Sequence, residues 1–191
     1  MDLRELDRQA LALIDHLLTG LTPADLGRPT PCEGWDLGDL LRHLISENTA
    51  FAEAARNGSA SDWDSGRASA DPYADYAPSA ADVTAAFADD DMPRRAVTVR
   101  EFGTFPGGVA VGMHFIDSVA HGWDIAMALG KEYEPGEQIV TAAARVAAGI
   151  PADPAVRAAG GAFADVVPVG DDAPVMHRTL ALLGRSPDWK P

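Results

Sequence analysis

The sequence predicts an all-α protein, a helix bundle with short irregular or hairpin insertions and a C-terminal helical tail. Three observations support that class. Apolar residues recur at three- and four-residue steps through several long segments, the pattern of helices that bury one face. Helix-starting Asp, Ser or Pro residues precede these segments and glycines follow them, as helix termini require. Strand-like alternation is confined to short stretches.

The first helix is expected where Leu3, Leu6, Ala10, Leu13, Ile14, Leu17 and Leu18 share a face, and it ends near Gly20. Thr22-Pro23 can start a helical turn, and Pro29, Pro31 and Gly34 then hold an extended connection. Asp36 caps the second helix, with Asp39 three residues on, and Leu37, Leu40, Leu41, Leu44, Asn48 and Phe51 carry it to Asn57-Gly58. Residues 58–78, rich in Ser, Ala, Asp, Gly and Pro, lack either periodicity and read as a long surface loop. A short helix follows from Ser79 to Asp90, with Ser79 and Asp82 as its capping box. Residues 94–108 alternate Val with polar residues and break at Pro106 and two glycines, which suits a short hairpin or ordered loop.

Val111, Phe115, Val119, Trp123 and Ala126 predict a long helix over Val109–Leu129, stopped by Gly130. Ile139, Val140, Ala143 and Val146 place another over Pro135–Ala148. A Pro/Gly/Asp-rich stretch covers 151–172, and a last helix runs from Pro174 to Leu183 before Gly184. With 191 residues and 47% hydrophobic content, the chain suffices for one substantial core. Residues 1–191 are therefore read as a single domain whose 151–191 tail packs on the bundle.

Charge narrows the partners. Fifteen Lys and Arg against 29 Asp and Glu give a formal charge of -14, which opposes phosphate backbones and anionic lipid surfaces and argues against nucleic-acid and membrane partners. Cys32 is the single cysteine, so no intrachain disulfide framework or multi-cysteine zinc cage can form. Asp2, Glu5 and Asp7 stand where a secretory signal would be basic and then apolar, and no stretch approaches the ~20 apolar residues of a membrane span. A cytoplasmic setting is expected.

The chemistry concentrates on the 109–129 helix. Residues four apart on a helix have Cβ atoms ~5–6 Å apart, so Asp117 and His121 can share one ion. Zinc needs imidazole nitrogen and carboxylate oxygen at ~2.0–2.2 Å, and a third ligand from a facing helix would fix it. His43, beside Leu40 and Leu44 on the second helix, is the best candidate. Two histidines and one carboxylate leave coordination positions open for water or substrate. An Asp and a His four apart also occur as a solvated pair. His114, three residues before Asp117, shares their face, so the trio reads equally as a polar stripe or as a set in which His114 replaces His43. His114 is placed beside the ligands, lining the pocket.

The segments PTPCEGWDLGDLLRHLISE and FIDSVAHGWDIAMALG resemble the metal-binding region of the mycothiol-dependent maleylpyruvate isomerase family, within the DinB-like helical superfamily. The closing LLGRSPDW is similar to one branch of that family. The resemblance covers the whole chain except the variable 58–105 region. It implies a DinB-like four-helix bundle whose metal is held by the histidine of the first motif and an acid-xxx-His pair of the second, here His43, Asp117 and His121. It further implies a divalent metal, zinc first with nickel or iron(II) as alternatives, and a low-molecular-weight thiol such as mycothiol. The activity implied is that of a transferase or isomerase acting on a small electrophile, and a homodimer is compatible with it. The family's isomerase has Glu at the acidic position and a further C-terminal α/β domain. This chain has Asp117 and about sixty residues after the metal helix, which separates the site from the isomerase reaction. The alternatives are a non-catalytic metal- or ligand-binding bundle and a metal-free bundle that serves as an interaction partner.

The remaining residues read as follows. Cys32 beside Pro31 suits packing, with a thiolate stabilised just before the second helix's N-terminus as the alternative. Trp35 and Trp123 suit core anchors, Asp36 a cap, and Asp124 either a helix polar residue or a partner that orients a ligand. Glu47 suits a surface carboxylate, with a role beside His43 as the alternative. His16 and His177 have no suitable neighbours in sequence.

Overall fold

The structure, a computed structural model, describes residues 2–151, 157 and 163–191. Helix α1 (Leu3–Leu18) starts at Asp2, whose carboxylate accepts from the Arg4 amide. Helix α2 (Leu37–Asn57) opens with the reciprocal Asp36 and Asp39 capping box and stops at Gly58, which takes the left-handed conformation with φ 86°. Between them Pro23–Asp25 forms a helical turn, and Pro29 bridges to Asp36 in antiparallel fashion. That bridge folds the connection back on itself. Thr30 closes it, since its hydroxyl donates to the Trp35 carbonyl at 2.9 Å and accepts from the Cys32 amide at 3.2 Å.

Helix α3 corrects the sequence reading. It spans Pro72–Phe87 and is capped by Asp71, whose carboxylate accepts from the Ala74 amide. The surface loop expected over 58–78 therefore ends at Asp71. Ser79 is not a cap, because its hydroxyl donates to the Tyr76 carbonyl at 2.7 Å in the middle of the helix. Asp71-Pro72 is a proper cap followed by proline at the first helical position, but Pro78, which removes one helical hydrogen bond, masks it in sequence. Burial of Tyr76, Ala80, Val83 and Phe87 along one face offsets that lost bond.

A two-stranded antiparallel hairpin follows, β1 (Ala96–Val99) and β2 (Gly103–Pro106), with Val97 opposite Phe105. Its turn holds Arg100 at φ 43°. Helix α4 (Gly107–Leu129) ends at Gly130, again left-handed with φ 63°. Helices α5 (Glu137–Ala148) and α6 (Val175–Leu182) complete the described elements. Helix α1 packs on α4 and α3, and α2 packs on α3 and α4, which closes a four-helix bundle. Of the tail expected over 151–191, residues 152–156 and 158–162 lie outside the described residues. Helix α6 packs on α5, which in turn packs on α4 and α1. The core divides into a larger cluster centred on α2 and a second one between α4, α1 and α5. No described helix is long and apolar enough to cross a membrane.

Candidate metal centre

Helix α2 presents His43 toward the C-terminal half of α4. His43 Nε2 lies 3.6 Å from Asp117 Oδ2, and His121 Nε2 lies 3.3 Å from Asp117 Oδ1. The two imidazoles meet edge to face, with ring centroids 4.9 Å apart. One ligand atom from each of the three residues falls within 4.8 Å of the others. The structure thus brings together the three residues singled out from the sequence. They sit at the edge of the bundle, where the Asp117 side chain is 30% exposed and that of His43 19%.

The ring of His121 is held from behind. Its Nδ1 lies 2.8 Å from Asp124 Oδ2, and a carboxylate can only accept, so Nδ1 keeps its proton and Nε2 is the nitrogen turned toward Asp117. Asp124 Oδ2 also accepts from Cys32 Sγ at 3.2 Å and from Arg185 Nη2 at 3.2 Å. Trp35 covers the imidazoles, with its ring centroid 5.0 Å from His43 and 6.5 Å from His121. Both Cys32 and Trp35 arrive on the α1–α2 connection, so the bridge at Pro29 and Asp36 is what delivers them.

Charge matches this geometry. Burial works to raise the Asp117 carboxyl, but His121 and then His43 outweigh it and hold it well below the ordinary carboxylate range. For His121 burial works downward, and Asp117 and Asp124 override it, leaving the imidazolium well above its ordinary value. Burial likewise pushes Asp124 up, while Arg185 and then His121 bring it below the usual range. Two imidazole nitrogens and an ionised carboxylate at a partly open edge are the donor set a divalent ion takes, with a proton on His121 in its place.

Several residues sit elsewhere than the sequence suggested. His114 does not line this pocket. It is buried in the core, with Nδ1 2.8 Å from Asp7 Oδ1 and Nε2 2.9 Å from Asn48 Oδ1, so the reading in which it replaces His43 fails on position. Glu47 is not a surface carboxylate. It is buried, pairs with Arg100 from the hairpin, and lies 3.9 Å from His43 Nδ1. Burial and then the charge of Asp117 push Glu47 up, against the pull of His43 and Arg100. Cys32 packs against the core and also bonds Asp124. Trp123 is a core anchor, whereas Trp35 is a half-buried cover over the histidines. His16 and His177 are exposed. Arg185 and Arg100 were missed. The first lies inside the quoted LLGRSPDW segment, and the second has no signal in the sequence before the hairpin is built.

A helical bundle that gathers two histidines and an aspartate between its second and fourth helices defines a class of helical proteins with a metal-ligand set between helices. Within that class the chain belongs to the mycothiol maleylpyruvate isomerase N-terminal domain family, whose model matches residues 8–126. Two uncharacterized proteins from two strains of Mycobacterium tuberculosis are each 30% identical to it over 177 residues, covering 89% of this chain and 90% of theirs. Among solved structures, the mycothiol-dependent maleylpyruvate isomerase superposes with a TM-score of 0.59 and its histidine-to-alanine mutant with 0.61. Both are 16% identical and cover 74% of this chain and 66% of theirs, a likeness of fold. This chain thus spans just under two thirds of the isomerase's length.

Proposed function

We propose that the protein is a metal- and thiol-dependent transferase or isomerase acting on a small electrophile, with one divalent ion held by His43, Asp117 and His121. The observation that carries this reading is the approach of one ligand atom from each residue to within 4.8 Å, in a family named for a mycothiol-dependent isomerase. Zinc suits two nitrogens and one oxygen, and nickel or iron(II) suits them as well. When bound, the ion supplies Lewis acidity that favours the thiolate form of a small thiol such as mycothiol at neutral pH.

The chain's own residues orient and enclose. Asp124 fixes the tautomer of His121, so that Nε2 points toward His43 and Asp117. Trp35 shields both imidazoles from one side. Glu47, on α2 beside His43 and paired with Arg100 from the hairpin, borders that ring. Three protein ligands leave a position open for the thiol. A cytoplasmic setting keeps such a thiol reduced.

The experiment is elemental analysis of protein purified without a histidine tag, followed by titration with a low-molecular-weight thiol. We expect about one divalent ion per chain, as three converging ligands specify, and its loss in His121→Ala. Full metal retention in that variant removes the assignment. The alternative is a non-catalytic metal- or ligand-binding bundle, in which the same three ligands converge without a reaction. Thiol-dependent turnover of an electrophile decides between the two.

A further inference from the structure

His121 is shared by two sets of ligands. Its Nε2 faces Asp117 at 3.3 Å, with His43 beyond. Its Nδ1 faces Asp124 Oδ2 at 2.8 Å, with Cys32 Sγ at 3.8 Å. The second set, Cys32, His121 and Asp124, also brings its three ligand atoms within 4.8 Å of one another. By donor chemistry it is the softer of the two, because a sulfur replaces an imidazole, and thiophilic ions such as zinc or cobalt(II) would favour it. Donor chemistry alone would therefore place the ion on the wrong side of the ring.

One residue separates the two sets. Arg185, from the segment after α6, sets Nη2 3.2 Å from Asp124 Oδ2, and its Nη1 donates to the Leu183 carbonyl at 2.8 Å. The Arg185 side chain is 13% exposed and that of Asp124 fully buried. An ion bound to that same oxygen at ~2 Å would stand within about 5 Å of the guanidinium nitrogen, in a site with little water to screen the repulsion. Among the described residues Asp117 pairs only with His43 and His121 and meets no arginine or lysine.

We infer that Arg185 is a positioning residue that decides which nitrogen of His121 takes the metal; the inference rests on the metal reading proposed above. Its fixed charge keeps a cation out of the Cys32 set. Its hydrogen bond holds Asp124 against the Nδ1 proton, which leaves the Nε2 lone pair for the ion. The C-terminal segment thereby becomes part of the site, although it lies outside the 8–126 stretch that defines the family.

The test uses cobalt(II) as the probe on the full chain, comparing the parent protein with Arg185→Lys, Arg185→Gln and Arg185→Met. Each is read by its visible spectrum, its near-ultraviolet thiolate-to-cobalt band and its cobalt affinity. The parent protein and Arg185→Lys should bind cobalt without a thiolate band. In Arg185→Gln and Arg185→Met a thiolate band should appear and vanish again when Cys32→Ser is added. Affinity at the Nε2 set should fall by about tenfold, the lower end for loss of an orienting partner. Arg185→Gln retains an amide donor for Asp124 and supplies the answer where Arg185→Met fails to fold. A thiolate band in the parent protein, or an unchanged spectrum and affinity in both neutral variants, overturns the inference. If His43→Ala abolishes cobalt binding while the neutral Arg185 variants match the parent, only this inference falls. No cobalt binding by the parent protein removes the metal reading itself.

Discussion

Replacing His114 with Leu is expected to destabilise the fold by about 3–5 kcal/mol, the cost of removing one partner of a buried ion pair. The structure supplies the reason. The side chains of His114 and Asp7 are each 1% exposed and meet at 2.8 Å. Asn48 Nδ2 donates to Ser79 Oγ, and Ser79 in turn donates to the Tyr76 carbonyl. Asn48 therefore offers its oxygen to His114, and Asp7 can only accept. Both ring nitrogens donate, so the side chain is a buried imidazolium. Burial works to lower its pKa, and Asp7 outweighs that and holds it above its ordinary value. Without His114 the Asp7 carboxylate is stranded, and its Oδ2 already lacks a partner among the described residues.

Asp7→Leu should cost less, about 1–3 kcal/mol, because the remaining imidazole can shed its proton. The double variant should recover most of the larger loss, since neither charge stays buried. Urea unfolding followed by far-ultraviolet circular dichroism on the four proteins measures the cycle. The pH dependence has a fixed sign. A histidine whose folded pKa is raised contributes fully below its unfolded value, about 6.5, and the contribution is lost as pH rises through the folded value. The gap between the parent protein and His114→Leu should thus narrow from pH 6 toward alkaline pH. Additive single-variant losses, within about 0.5 kcal/mol, or a gap that widens with pH, would refute the buried-pair argument.

Two further predictions concern the candidate centre. Asp124→Asn removes the anion behind His121 and should weaken metal binding by about 10–100-fold with helix content unchanged; competition against a chelator measures it, and parent-like affinity counts against the orienting role. Metal affinity should fall as pH drops through the raised His121 value, because the ion must displace the proton that Asp117 and Asp124 hold there. Calorimetry in buffers of different ionisation enthalpy should register proton release on binding, and a binding enthalpy independent of buffer would contradict it.

The helices were legible where two signals coincide. Asp36 and Asp39 before the apolar face of α2, and Gly130 after that of α4, mark termini that the structure keeps. The start of α3 was hidden because Asp71-Pro72 lies in a polar stretch and Pro78 reads as a breaker, and the buried face that overrides it emerges only against α2. At the site, Asp117 and His121 were legible from helical spacing, and His43 from its place beside the apolar face of α2. Their supports were not. Asp7 meets His114 across 107 positions, and Arg185 meets Asp124 across 61. Pairings at such separation leave no periodic trace in sequence. Glu47 reads as exposed until the hairpin sets Arg100 against it.

His114, Asp117, His121 and Asp124 all fall within about 80° of arc on α4 at 3.6 residues per turn, so the polar stripe anticipated from the sequence is real. What divides it is the packing. At its N-terminal end, α1 and α2 close over His114 and supply a full set of acceptors, Asp7 and Asn48. A cation enclosed in this way has no route to exchange its proton for a metal. At the C-terminal end, Asp124 holds His121 from behind, but Nε2, Asp117 and His43 share an edge that is partly open. There the proton on His121 faces the open edge and can be replaced from solvent. The same two residue types thus make a structural pair at one end and a ligand set at the other. The element that packs on each turn of α4 decides which role each residue takes.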